Sequence, residues 1–527
     1  MSDRDREPGG TYAWYVLGVM VVVYVFNFLD RQILAILAED IKADLGLSDS
    51  EIGFLYGTAF AVFYAVFGIP LGRLADTWVR RSVISIGLTV WSLMTALSGF
   101  AHTFGQLAGA RIGVGVGEAS ASPSAYSLLS DYFPPERRAT VMAIYSSGLY
   151  VGAGIGLFLG GYIVDSWNAA WPDGGAPLGL HGWQAAFLVV GFPGLLVAAW
   201  VRTVKEPVRG ASDGVVAEAS SDEPWRVLGR ELSAVIPPFT LMSLVGRGAG
   251  RTVIAANLAT AVAVVLMAAA MTAWLGDAIQ WYALALGLYS TVSWVQGLAL
   301  SDRAAFVVIF TSRALRYSVV GFSLIAFGSY SVGFWTVPFF LREFGLSATE
   351  VGKMLGLIAA VAGWLGATVG GFAADAWQRR SPRGRIYFSM VSALAPLPFV
   401  LGLVRTDNLT LAYAMAFGAQ VANGMWLGAA VSTVQDLVLP RMRAVASAVY
   451  LLMLTFVGLA MGPYTVGRVS EATGDLGGAI ETAMIANVAA VVVLAAAGRL
   501  VAADRDSLID RARAAGETVT VESPRSG

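Results

Sequence analysis

The sequence predicts an all-α integral membrane protein, and three observations carry that prediction. Hydrophobic residues make up 56% of the 527-residue chain and charged residues only 13%, about half the charged share of a water-soluble domain. Apolar stretches of about 20 residues recur along its length, enough for a helix to cross a hydrocarbon core with every backbone N–H and C=O satisfied internally. The two halves of the chain also repeat each other's motifs in the same orientation.

Composition removes several classes of function. The formal charge is -1, from 35 basic and 36 acidic residues, so no overall positive field exists to hold nucleic acid. Cysteine is absent and His102 and His181 are the histidines, which excludes disulfides, thiol nucleophiles, Cys-based zinc sites and clustered histidine ligands. Lys42, Lys205 and Lys353 lie outside any G-x-x-x-x-G-K-[ST] setting, so the chain has no phosphate-cradling loop of its own. No cofactor or metal is expected. No nucleophile–base set is evident either, so the chain does not read as an enzyme.

Fourteen apolar stretches read as spans: 12–37, 50–73, 82–101, 104–131, 138–164, 183–202, 253–275, 279–300, 317–341, 350–374, 386–404, 409–436, 445–467 and 479–501. The first is too long for a secretory signal and lacks a small-residue cleavage site, so it is expected to be retained. Arginines set the direction. Arg73, Arg80 and Arg81 follow span two, Arg137 and Arg138 span four, Arg379, Arg380, Arg383 and Arg385 span ten, and Arg441 and Arg443 span twelve, while residues 166–182 on the opposite side carry no Lys or Arg. Short basic loops stay in the cytoplasm, which predicts a multi-pass protein of the inner (cytoplasmic) membrane with both termini inside.

LGLSDSEIGFLYG from Leu45 matches FGLSATEVGKMLG from Phe344, and GRLADTWVRR from Gly72 matches GFAADAWQRR from Gly371, both at an offset of 299. DYFPPERRATVMAIY from Asp131 matches DLVLPRMRAVASAVY from Asp436 at 305. Such a parallel repeat implies two six-helix bundles. The expected organisation is a cytoplasmic tail (1–11), a first bundle (12–204), a linker (205–252), an inserted transmembrane hairpin (253–300), a connector (301–316), a second bundle (317–503) and a cytoplasmic tail (504–527). Residues 206–223 are polar and rich in small residues, which reads as a flexible linker. The hairpin reads as a peripheral packing element.

These motifs resemble the major facilitator superfamily of secondary transporters. The duplicated G-x-x-x-D-x-x-x-R-R loops, Gly72, Asp76, Arg80 and Arg81, then Gly371, Asp375, Arg379 and Arg380, look like that family's signature. The resemblance implies the major facilitator fold and alternating access, and the charges in these loops suit a gate that pairs across the bundles and breaks on opening. Arg111, Gly115, Gly117 and Ala119 are similar to a motif of proton-coupled members. Span five carries Gly148, Gly152, Gly156, Gly160 and Gly161 but lacks the proline of the drug-antiporter motif. More narrowly, residues 27–31 (NFLDR), residues 111–118 and SDYFPPERRA from Ser130 resemble the spinster subfamily. That resemblance implies lysolipid or sphingosine phosphate substrates and proton coupling.

Ionisable groups within a span are costly unless paired or hydrated, so those retained are candidates for function. Arg111 and Glu118 are seven residues apart, about two helical turns, and project from nearly one face. The expectation is that Glu118 and Asp30 compete for Arg111. An anionic head group that draws the guanidinium away leaves a carboxylate to take up the transported proton. The alternative is a static network ordering spans one and four. Arg31 reads as a snorkelling interfacial residue. In the second half Tyr330, Trp335, Phe339, Asn423 and Trp426 offer an aromatic and amide wall for the apolar part of an amphiphile. The partners expected are a lipid-like substrate, protons and the bilayer, around a monomer. The rivals are a carrier of small organic anions, a membrane-embedded lipid-modifying enzyme and a lipid-sensing receptor.

Overall fold

The computed structural model describes residues 9–172, 175–209, 212 and 223–517. The first eight residues, most of 210–222 and the last ten of the expected cytoplasmic tail lie outside the described residues. Among those described, every regular element is helical. The first half comprises α1 (Thr11–Leu45), α2 (Asp49–Thr77), α3 (Arg80–Ser98), α4 (Phe104–Glu118), α5 (Ala121–Tyr132), α6 (Pro135–Ala170) and α7 (Gly182–Thr203). Between the halves lie α8 (Pro224–Val235), α9 (Phe239–Gly246), α10 (Arg251–Leu275), α11 (Ala278–Ser301) and α12 (Arg303–Thr311). The second half comprises α13 (Arg313–Phe344), α14 (Ala348–Arg380), α15 (Gly384–Val404), α16 (Leu409–Gly424), α17 (Leu427–Asp436), α18 (Pro440–Thr473) and α19 (Leu476–Asp506), followed by the short α20 (Leu508–Ala514).

Twelve of these helices are long and apolar enough to cross a membrane. The other two apolar stretches, 104–131 and 409–436, are each broken into two helices, α4 with α5 and α16 with α17. The breaks fall at equivalent places in the repeat, after Glu118 and after Gly424. Counting each broken pair as one crossing makes the number even, so both ends of the chain share one side, called here the terminal side.

The repeated motif at 45–57 and 344–356 is a corner and a contact written twice. Gly46 and Gly345 end α1 and α13 in the left-handed region, at φ 64° and 59°, where a Cβ would clash. Two residues on, Ser48 and Ser347 cap α2 and α14 in capping boxes with Glu51 and Glu350, each cap worth about 1 kcal/mol. The glycines that follow permit close contact between the halves. A Cβ on Gly57 would lie 2.6 Å from the Leu459 carbonyl oxygen, and one on Gly356 would lie 2.6 Å from that of Gly154. So α2 meets α18, and α14 meets α6, backbone against backbone, by the small-residue packing that substitutes for hydrophobic drive in lipid.

These seams close the side away from the termini. Arg342 of α13 holds both carboxylate oxygens of Asp49 at 2.7 and 2.9 Å and reaches Glu39 at 2.7 Å, while Lys42 and Ser470 also donate to Asp49 at 2.6 and 2.7 Å. Thr349 N–H donates to Asp165 at 2.6 Å and Thr58 to the Ala460 carbonyl at 2.9 Å. Among the described residues, no ion pair or hydrogen bond joins the two bundles at the terminal side, where a cleft opens between Gly72 and Asp76 of α2 and Arg441 and Ala444 of α18.

The inserted hairpin lies over that seam. Gly287 of α11 sits against Val62 of α2 and Phe456 of α18, Trp281 meets Tyr464 edge-on at 5.6 Å, and the Tyr464 hydroxyl donates to Asp277 at 2.9 Å. α10 packs behind α11, tied to it by Asn257, which donates to Ser293 and Gln296 at 2.8 and 2.7 Å and accepts from Tyr289 at 2.8 Å. The stretch read as flexible, 206–223, lies largely outside the described residues, and the rest of the linker contains α8 and α9. Val235 of α8 packs with Val62 and Val66 of α2, and burying this apolar face is what holds the segment.

Overpacking a tight contact costs about 1–3 kcal/mol, so Gly57→Leu and Gly356→Leu are each expected to shift the protein toward opening at the far side. The absence of cysteine makes a single Leu157→Cys probe direct. Labelling by an impermeant maleimide from the far side is expected to rise about fivefold or more in either variant, and to stay level in Gly18→Leu, where nothing lies within 4 Å. Asp49→Ala, which removes the carboxylate at the centre of the far-side ion cluster, is expected to raise labelling in the same direction.

Candidate functional site

The site begins with the length of α1. It runs for 35 residues, to Leu45, past the limit read from hydropathy, and Arg31 lies within it, lining the space between the halves. Its Nε donates to Glu118 Oε2 at 2.6 Å. The guanidinium is stacked among the rings of Phe28, Phe60 and Tyr64, 4.9, 4.5 and 4.7 Å from their centroids, which supply the negative π-faces a desolvated cation needs. Glu118 is the last residue of α4, and the interruption of the helix after it sets its direction.

Arg111, seven residues earlier on α4, donates from Nη1 to the Asp30 backbone carbonyl at 3.3 Å. The Asp30 carboxylate accepts from Thr95 Oγ1 at 3.2 Å. Asp30, Arg111 and Glu118 are each 1% exposed. Asp30 Oδ1, Glu118 Oε1, Arg111 Nε and Asn27 Oδ1 are buried without a hydrogen-bond partner among the described residues. Unsatisfied buried polar atoms are costly, so this is a cluster of charges with spare bonding capacity. Glu118 is therefore bonded to Arg31, where competition for Arg111 was expected, and Arg31 is the functional candidate that the sequence reading passed over. Its adjacency to Asp30 was the available signal.

A cavity of about 210 Å³ separates the halves at this level. Arg31, Arg111 and Tyr56 line it from the first half, and Tyr330, Asn423 and Trp426 from the second. Asp30 and Glu118 stand behind that wall. Ser329 links two of the second-half residues, donating to Asn423 Oδ1 and accepting from Trp426 Nε1, both at 3.3 Å. Trp335 and Phe339 are not brought to the cavity. Trp335 is fully buried with Nε1 donating to the Pro463 carbonyl at 2.8 Å, and Phe339 packs edge-on against Phe340 and Phe344. Both sit nearer the far-side end of α13, where the bundles close. His181 lies 3.3 Å from Asp44 in a far-side loop, well away from the cavity.

At the terminal side Arg80 bonds within its own half, to Asp131, to Glu206 at 2.8 Å and to the Ser127 carbonyl at 3.0 Å. Arg81 donates to the Val204 carbonyl at 2.6 Å. Asp76 is exposed, and a Cβ on Gly72 would touch only Pro123. In the second half the equivalent position is taken by Arg385, which holds Asp375 at 2.8 Å and Asp436 at 2.6 Å. Arg379 and Arg380, at the end of α14, are exposed. The reason is helix length: α14 continues to Arg380, whereas α2 stops at Thr77, so the offset changes from 299 to 305 before the next helix starts and Arg385 takes the place of Arg80. Outside the spans, hydrogen bonds from Arg441 hold the Asp302 carboxyl below the usual range for a carboxylate.

Comparison with known proteins gives this geometry a context. The model of the Major Facilitator Superfamily matches residues 20–463. An MFS-type efflux pump of Mycolicibacterium smegmatis is 28% identical over 498 residues, 94% of each chain. Protein spinster of Drosophila melanogaster is 23% identical over 472 residues, 88% of this chain and 63% of that one. A probable L-galactonate transporter of Escherichia coli is 30% identical over 174 residues, 33% of this chain and 35% of its own. A bacterial homologue of the human lysosomal transporter spinster, solved inward-facing and unoccupied, superposes with a TM-score of 0.66 at 24% identity over 95% of this chain and 98% of its own, a likeness of fold. With a family model matched over most of its length and two bundles closed around one shared cavity, the chain belongs to the Major Facilitator Superfamily and, within it, is similar to the spinster proteins.

Proposed function

We propose that the protein exports an amphipathic anionic or zwitterionic lipid, such as a lysophospholipid or sphingosine phosphate, by proton-coupled alternating access across the inner membrane, with both termini in the cytoplasm. The observation that carries this reading is the buried Arg31–Glu118 pair beside Arg111, whose guanidinium lines the same cavity. An anionic head group entering there meets two cations, one of them already bonded to a carboxylate. Drawing Arg31 or Arg111 onto the head group leaves Glu118 or Asp30 with less positive charge, and a proton then neutralises the acid left behind. Head group and carboxylates thus contend for the same cations, which couples cargo binding to proton uptake.

The opposite wall supports an amphiphile. Tyr330 and Trp426 offer apolar ring surface with polar edges, and the Asn423 amide nitrogen is buried without a partner. The relative in Mycolicibacterium smegmatis is an MFS-type efflux pump, which favours export. The paired charges at the terminal side, Arg80 with Asp131 and Arg385 with Asp375 and Asp436, are proposed to exchange partners across the bundles as that side closes, with Gly72, Asp76, Arg81, Arg379 and Arg380 at the same face. A second reading, carriage of a small organic anion, draws on the partial likeness to the probable L-galactonate transporter and on the same two arginines.

Proteoliposomes with an imposed pH gradient test both readings, using lysolipids and sugar acids as cargo. Gradient-driven lysolipid flux is expected, with sugar acids neither carried nor competing, and the reverse pattern establishes the second reading. Arg111→Ala is expected to lower flux at least tenfold, because truncating one group of a buried charge cluster costs about 2–5 kcal/mol. Glu118→Gln is expected to retain downhill exchange but lose its response to the pH gradient. Uphill transport by Glu118→Gln with undiminished gradient dependence rejects Glu118 as the coupling acid.

A further inference from the structure

We infer that the terminal side carries a second, fixed binding site, for the phosphate group of an anionic membrane phospholipid. It is built by the linker helices, α2 and the inserted hairpin. Arg73 near the end of α2, Arg230 of α8 and Arg247 just beyond α9 line one open cavity of about 550 Å³ together with Ser233, Ser243 and Ser301. Glu231 is the one acid in its lining, so the cavity carries a surplus of two positive charges. Among the described residues none of the three arginines is in an ion pair, although neighbouring arginines such as Arg80, Arg226 and Arg441 are. Asp76 stands in the adjoining cleft beside Arg73, and Asp302 there is already bonded to Arg441. Ser233 and Ser301 donate their hydroxyls to the Arg230 and Gly297 carbonyls, so the three guanidiniums supply the N–H donors that match the oxygens of a phosphate.

A separate feature places the cavity at a membrane surface. α8 and α9 expose Trp225, Phe239, Met242 and Val245 at 51 to 70% of their surface, while α8 packs on α2 through Leu228 and Val235 and α9 meets α11 through Thr240 and Tyr289. Short helices with bulky apolar groups outward and arginines beside them lie in the plane of the head groups. The far wall is α11, where Arg247 Nη1 comes within 3.4 Å of the Cβ position of Gly297. A phosphate held here ties linker, hairpin and first bundle together on the leaflet, outside the transport cavity. Basic pockets between helices at a cytoplasmic face favour anionic head groups in this way.

The test uses the full-length protein, titrated with phosphatidylglycerol, phosphatidylcholine and inorganic phosphate, with bound ligand counted by native mass spectrometry. Phosphatidylglycerol is expected to bind more tightly than phosphatidylcholine, and Arg230→Ala/Arg247→Ala to weaken it by about tenfold or more. Glu231→Gln is expected to tighten it, a gain that damage to the fold does not produce. Equal binding of the two lipids, full retention of phosphatidylglycerol by the double variant, or weaker binding by Glu231→Gln overturns the site. Displacement of the lipid by an equal concentration of inorganic phosphate reassigns it to a free anion and overturns the lipid inference.

Discussion

The contact between Arg31 and Glu118 is the interaction around which the rest of the cavity is arranged. Neither charge is tolerable alone at that depth, because burying an unpaired ion costs far more than a helix gains by crossing the membrane. Their pairing fixes α1 against α4, and among the described residues Arg111 is bonded only to a backbone carbonyl. Aromatic rings around Arg31 complete its environment. The cluster therefore has more hydrogen-bonding capacity than the protein uses, and it faces a cavity that both bundles share.

The repeat makes the asymmetry of this cavity informative. Arg31 and Tyr330 are related by the offset of 299, as are Asp30 and Ser329, while Glu118 and Asn423 are related by 305. In each case the first bundle carries a charge and the second a neutral polar group. One ancestral geometry thus presents an ionic wall and an aromatic-amide wall to the same space. The broken helices that position Glu118 and Asn423 are shared too, so the chemistry diverged on a common scaffold.

The same scaffold explains how the halves are held. The Gly-x-x-x-Gly pairs of α2 and α14 bring backbones together on the far side, where Arg342 and Asp49 add a charged clasp across the seam. At the terminal side no ion pair among the described residues joins one bundle to the other, and the hairpin and linker helices lie beside the cleft between α2 and α18. Closure of one side by tight packing and looseness at the other are what a rocking pair of rigid bundles requires.

Hydropathy and repetition by themselves determined the all-helical membrane architecture, the two bundles and the inserted hairpin, because in lipid the length of an apolar run is nearly sufficient to specify a helix. The sequence also marked Asp30, Arg111 and Glu118, since charge is rare within spans. It did not reveal which cation would meet Glu118. That depended on how α1 packs against α4 and on where α4 breaks, after Glu118. It likewise set Arg379 against Arg80, because a motif match cannot register that one helix outruns its counterpart; only packing put Arg385 in that place. The direction of Trp335 and Phe339, into the closed end and away from the cavity, was decided by how two bundles meet, a contact between residues far apart in the chain that no local pattern encodes.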